Sequence, residues 1–449
     1  MARFTRRRII VGIGAAALVA ATGPALGTTT APPLRPFEVN VSHDPRTNSG
    51  EPTIAVDPAD PQRIVVTYTQ VSLQHELTHG MVPSVADLTE ETHCGYAVTT
   101  DGGATWKRAP IPVTDAVQRA CADPFVVFDS HGTVYVAAGT YDPSIMVGGV
   151  RFIRSTDGGR TWSAPIQPIS TLTGIQRTKP GPWTYVGPSM SIDRTWLAVD
   201  SSTGVLYLSS RDLGGIHGHR YITSSRDGGR TWAAVNAVDS DDYPVGDGPI
   251  TAANGAVAIA YGAARLPVPA SKCTCLVLAV STDGARTFTR RPAPFAISNQ
   301  PTATADPTHP GRYAVLGLDS TATKVEVHVT DDAGKTWRPA ITLGEPPANT
   351  RSRPWIAFSP TGVLGAMWRT VYADKSSDVF ATVSRDGGRT FGPPLRINGA
   401  RSPAPSGQEL GDDFSHVTLD ATTLRVGWGD WRSGHMDAWY GRVVLAAFT

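Results

Sequence analysis

The 449-residue sequence predicts an all-β chain closed into a β-propeller of seven blades, each a four-stranded antiparallel sheet. Three observations lead there. An octet recurs six times, a second strand–turn–strand pattern recurs seven times, and one unmatched strand near the N-terminus completes the count.

The octet first appears as Thr99-Thr100-Asp101-Gly102-Gly103-Ala104-Thr105-Trp106 and returns at 155–162, 225–232, 281–288, 330–337 and 384–391. Its aspartates (101, 157, 227, 283, 332 and 386) are 49 to 70 residues apart, the length of one four-stranded sheet with its turns. The chemistry is that of a turn. Asp accepts hydrogen bonds from the backbone beyond it, and Gly supplies positive φ. The closing Trp or Phe begins the next strand and can pack on the neighbouring repeat.

Ahead of each octet lie two short apolar strands joined by a turn. Pro52–Pro58 followed by Arg63–Tyr68 is the first pair, and equivalents begin at Pro124, Arg194, Pro249, Pro301 and Pro354. A seventh pair, Ser415–Asp420 and Leu424–Trp428, has no octet after it, only a strand at 438–444. The strand Phe37–Ser42 is expected to pair there, closing the ring and removing exposed sheet edges. Residues 37–449 then form one domain.

Residues 1–27 read as an export signal. Arg3, Arg6, Arg7 and Arg8 precede the apolar run Ile9–Ala21, and Ala25-Leu26-Gly27 offers small residues for cleavage. The arginine run also resembles a twin-arginine signal. Residues 28–36 are a short disordered linker. Losing four arginines takes the formal charge from +1 to −3, so no basic excess remains to neutralise phosphates, and nucleic acid is excluded as a partner. No later stretch has the roughly 18 consecutive apolar residues of a membrane helix, and the mature chain is expected outside the cell as a monomer. Export permits disulfides. Cys94–Cys121 is the favoured pair, with Cys273–Cys275 straining across one residue.

If the octets link the third and fourth strands, they all lie on one face of the disc and their aspartates are scaffold. The opposite face collects Glu51, Asp123, Asp193, Asp247, Gln300, Arg353 and Asp413 at the starts of the inner strands. Loops between second and third strands add Arg211, His217, His219, Arg369, Tyr372, Asp430, Arg432 and His435, and Trp183 and Tyr185 precede the third blade. Polar groups converging on a concave mouth are the usual setting for a ligand.

The octet is the Asp box, and over nearly all of residues 37–449 the sequence resembles the sialidase-like superfamily. Sialidases have six blades, which makes six the alternative count. They use an Asp as acid/base, a Tyr–Glu pair as nucleophile, and three arginines around the substrate carboxylate. A guanidinium holds a carboxylate by two parallel bonds, hence the arginines. The resemblance implies Asp123 or Asp193 as acid and Tyr185 or Tyr372 with Glu51 as nucleophile. It implies Arg353, Arg211 and Arg432 as clamp, with Trp183 and Asp413 also binding substrate. The family's Phe/Tyr-Arg-Ile/Leu-Pro motif is met here by Leu34-Arg35-Pro36, one residue short.

The expected function is thus a secreted, glycan-active hydrolase cleaving terminal glycosidic bonds; the alternative is a propeller that binds glycan or protein without catalysis. No cofactor is expected, although an Asp-rich mouth could hold calcium. His75-Glu76-Leu77-Thr78-His79 matches the zinc-peptidase pattern H-E-x-x-H. Gly80 and Pro83 limit any helix there to about two turns, so a ligand-face loop is the preferred reading and zinc at His75 and His79 is the minor one.

Overall fold

The computed structural model describes residues 36–73, 92–142, 147–170, 192–212, 220–238, 248–263, 275–344, 354–406 and 415–448. The export signal, the His75–His79 motif and Cys273 lie outside them, as do Tyr185, Trp183, Arg353, Asp413, Asp247, His217 and His219. The described residues belong to one compact unit, Arg35–Thr449.

Within that unit the chain forms seven four-stranded antiparallel sheets, which settles the count at seven blades. Blade one is Thr47–Val56, Ile64–Ser72, Thr92–Thr99 and Lys107–Pro110, hydrogen-bonded in chain order. The inner strands of the next six are Ala120–Phe128, Ile192–Val199, Ile250–Ala253, Ile297–Ala305, Trp355–Phe358 and His416–Leu419. Each packs on its successor around the ring. Blade seven takes its outermost strand from the other end of the chain. Phe37–Asn40 pairs antiparallel with Asp437–Val444, placing Glu38 opposite Gly441 and Val39 opposite Tyr440. That is the closure the unmatched strand predicts.

Because strands alternate within each sheet, the turn after the inner strand and the Asp box emerge at the same end of the blade. The two touch: Gly102 N donates to Gln62 O at 2.9 Å, and Ala333 N to Gly311 O at 2.8 Å. In the box at Asp157, Oδ1 accepts from the N–H groups of Arg160 and Thr161 at 3.0 and 2.9 Å, and Oδ2 from the Thr161 hydroxyl at 2.6 Å. The Ser155 hydroxyl closes the turn by accepting from Gly159 N at 2.9 Å. The box aspartates spend their oxygens on their own turns and are scaffold.

The box aromatic residues stitch the blades. Trp106 meets Tyr440 at 5.2 Å between ring centres, Trp162 meets Tyr96 at 5.5 Å, Trp232 meets Phe152 at 5.1 Å and Trp337 meets Phe295 at 5.2 Å. Each contact joins a box to the preceding blade, edge to face, the arrangement aromatic quadrupoles favour. A disulfide between Cys94 and Cys121 adds a covalent link from blade one to blade two. Cys275 is also disulfide-bonded.

The axis of the ring is filled near its middle. Phe125 of blade two, Trp196 of blade three, Trp355 of blade six and His416 of blade seven meet there, with ring centres 4.8 to 6.1 Å apart. Blades two and six are not neighbours, so the Phe125–Trp355 contact spans the axis. This aromatic stopper divides the disc into an upper mouth and, on the box face, a lower one.

Candidate functional site

Above the stopper, three inner strands carry the same irregularity. The antiparallel register slips between Gly50 and Thr53, between Ala122 and Phe125, and between Asp193 and Trp196. At these bulges Glu51, Asp123 and Arg194 take φ of 52°, 51° and 58°. A side chain with a Cβ adopts that conformation at a cost of about 1–2 kcal/mol. Bulges of this kind re-aim side chains, and they concentrate beside functional sites.

The bulges are tied together across blades. Thr69 donates its hydroxyl hydrogen to Glu51 Oε2 at 3.0 Å, and Thr69 Oγ1 accepts from Asp123 N at 3.1 Å. Asp123 Oδ2 in turn accepts from Arg194 N at 2.7 Å. Just beneath, the Thr53 and Thr67 hydroxyls both donate to Pro124 O, at 3.2 and 3.1 Å. One polar chain therefore runs from blade one through blade two to blade three.

The charges of its carboxylates act on a tyrosine that sequence reading misses. Tyr141, near the end of the strand Val134–Asp142, lies opposite Ala120 and is half-buried. Burial pushes its phenol above the ordinary range; the charges of Asp123, Asp193 and Glu51 push the same way, against a hydrogen bond from Thr92. The phenol stays protonated at neutral pH and is a donor. Glu51 and Asp123 are 6% and 7% exposed, whereas the Asp193 side chain is 26% exposed and is the open member of the group.

Two arginines accompany Asp193. Arg194 Nε stands 3.5 Å from Asp193 Oδ2, and Arg211 faces Asp193 directly across the strand pair. Fully buried Arg220 supports the bulge from below, donating from Nη1 to Ser209 Oγ at 3.2 Å and Arg194 O at 3.5 Å.

Arg432 is placed elsewhere, and this corrects its expected role in a clamp. It binds Glu38 through two parallel bonds of 2.8 and 2.9 Å, pairs with Asp430 at 3.0 Å, and lies 3.9 Å over the Trp439 ring. Its work is to fasten the closing strand of blade seven. Tyr372 is also engaged apart from the three carboxylates, donating to Asp378 Oδ2 at 3.0 Å beneath the Arg401 guanidinium. Among the described residues no group of three or more His, Cys, Asp or Glu is arranged to hold a metal ion. No helix among them is long and apolar enough to cross a membrane.

Thus Glu51, Asp123, Asp193 and Arg211 fall in adjoining blades one to three, and Tyr141, Thr69 and Arg194 join them. A recurring carboxylate–proline pair, Glu51-Pro52 and Asp123-Pro124, marks the bulges in the sequence. Tyr141 carries no such mark, because only the packing of blade two against its neighbours brings it to the carboxylates.

A family model, the BNR/Asp-box repeat, matches residues 153–164, the second box. Similar solved structures include a protein of unknown function from Dyadobacter fermentans, at 13% identity over 92% of this chain and 100% of that one, TM-score 0.54. The leech intramolecular trans-sialidase, solved with 2,7-anhydro-Neu5Ac, is 10% identical over 93% of this chain and 95% of that one, TM-score 0.51. The chain is a seven-bladed β-propeller with Asp-box turns. A Hadza microbial sialidase, Hz136, is also similar, at 16% identity over 81% of this chain and 75% of that one, TM-score 0.49. No curated protein matches by sequence. At these identities the likeness of this Asp-box propeller to the solved structures is one of fold.

Proposed function

We propose that the protein is an exported glycoside hydrolase acting at the upper mouth, with Asp123 and Asp193 as the acid/base carboxylates and Glu51 with Tyr141 completing the reacting group. The observation that carries this reading is the hydrogen-bond chain that links Glu51, Asp123 and the Asp193–Arg194 bulge across three successive blades, with the charges of all three carboxylates acting on the Tyr141 phenol. Glycoside cleavage requires a proton for the leaving oxygen and a second group to attack or to activate water. Asp193, the most open carboxylate, is suited to meet the incoming bond. Glu51, hydrogen-bonded by Thr69, takes in this reading the proton of Tyr141 as the phenol oxygen engages the sugar. The Cys94–Cys121 disulfide fits an oxidising compartment.

A panel of fluorogenic glycosides, sialosides included, tests the proposal. Cleavage of any one of them is expected to fall at least a hundredfold in Asp123→Asn and Asp193→Asn, the scale of a lost general acid or base. Full retention of turnover in both variants sinks it. A second reading, glycan binding without catalysis, is favoured by one observation: Arg432 is spent on Glu38, so Arg211 and Arg432 do not form a shared carboxylate clamp. Binding to a glycan array with no turnover of any glycoside would select it.

A further inference from the structure

The lower mouth holds a second cavity, on the box face and beneath the aromatic stopper. It has a volume of about 600 Å³ and is walled by all seven inner strands. Val56, Val127, Val199, Ala252 and Phe358 remain half-buried along its wall, and Pro58, Pro307 and Pro360 stand among its outer residues. That volume lies within the range of small-molecule sites, and the lining sets apolar side chains beside nearly as much polar surface, Thr251, Thr304 and Thr418 included.

The cavity offers nothing to an ion. Asp129 is its one charged lining residue, and its oxygens are taken: Oδ1 accepts from His131 N and Thr133 N, both at 2.9 Å, and Oδ2 from the Tyr135 hydroxyl at 2.8 Å. A wall with no uncommitted charge offers a charged guest no counter-charge for the water it gives up.

The deep end supplies one directional group. His416 is 8% exposed and lines the cavity beside Phe125 and Trp355. Its Nδ1 accepts a hydrogen bond from Ile54 N at 3.2 Å, and in the neutral ring this leaves the hydrogen on Nε2. That nitrogen has no hydrogen-bond partner among the described residues. A nine-tenths-buried donor left unspent on a residue that lines the cavity calls for an acceptor from the guest.

We propose that the box-face cavity is a binding site, separate from the glycan site, for an uncharged small molecule that presents one carbonyl-type acceptor to His416 Nε2–H. The test uses 6-propionyl-2-dimethylaminonaphthalene, an uncharged fluorophore with a single ketone, and its ketone-free parent 2-dimethylaminonaphthalene. Titration of the full chain should give saturable, blue-shifted emission with one site per chain. The ketone-free probe should bind about tenfold more weakly, the upper end of a neutral hydrogen bond. Ala252→Trp, which fills the cavity, should weaken the ketone probe at least tenfold. Val199→Lys, which puts a charge on the half-buried wall, should do the same and serves if the tryptophan variant fails to fold. Absence of saturable binding overturns the proposal, as does unchanged affinity in a folded variant. Equal affinity for the two probes overturns the role of His416. Glycosidase activity is not read in any arm, so the outcome is independent of the upper site.

Discussion

Single hydroxyls do unusual work above the stopper. Thr69 Oγ1 is shared by Glu51 and by the backbone of Asp123, so one side chain fixes the placement of two carboxylates on different blades. Replacing it by valine keeps shape and removes both bonds, the one given to the Glu51 carboxylate and the one taken from the buried Asp123 N–H. Thr69→Val should therefore destabilise the fold by about 1–3 kcal/mol, whereas Thr69→Ser should recover most of that in a denaturant midpoint. If valine and threonine give the same midpoint, the hydroxyl is not the tie described. Glycosidase turnover should follow the same order, with serine near wild type and valine well below it.

Individual positions also show where sequence reading stops. Glu51, Asp123 and Asp193 are legible because each precedes an apolar inner strand at a repeating place in the period. Arg432 is misread for a definite reason: its partner Glu38 is 394 residues away, and only ring closure brings them together. Arg194 reads as the start of a repeat, and nothing local shows that its N–H holds Asp123.

Among the strands and turns, the Asp box was the most legible unit, since its hydrogen bonds run between residues two to four apart. What the period does not reveal is how blades are coupled. Blades one and two are joined by Cys94–Cys121, two residues before the Asp123 bulge. The bridge spans 27 residues, and in the chain-entropy model a loop of that size stabilises by roughly 3–4 kcal/mol. The paired variant Cys94→Ser/Cys121→Ser should lower stability by about that amount, read as the shift in urea midpoint multiplied by the m-value. Reduction of the wild type by a strong thiol should give a shift in the same direction. A midpoint unmoved by both would show that packing alone holds the two blades.

For the ring taken entire, pH is the revealing variable. Burial lowers His416 from an ordinary 6.5 to about 3, and His328 to about 4. Between pH 6.5 and these values the unfolded chain binds protons that the native chain refuses, so stability falls as the solution is acidified. The box aspartates act lower down. Backbone and hydroxyl hydrogen bonds from Thr336 bring Asp332 from 3.8 to about 2, and the Thr105 and Thr99 hydroxyls hold Asp101 low. Their stabilisation is full above pH 3.8 and is lost as pH falls through the native values. Melting temperature should then decline in two stages, from pH 6.5 toward 4 and again below 4. His328→Phe should make the first stage shallower, leaving the share of His416, and leave the second unchanged; an unchanged profile would remove His328 from the account.

The interlocked rings on the axis also set a partition between the two ends of the disc. A guest lodged under the boxes and a sugar above the bulges would each meet the opposite side of the same four rings, close neighbours with a wall between them.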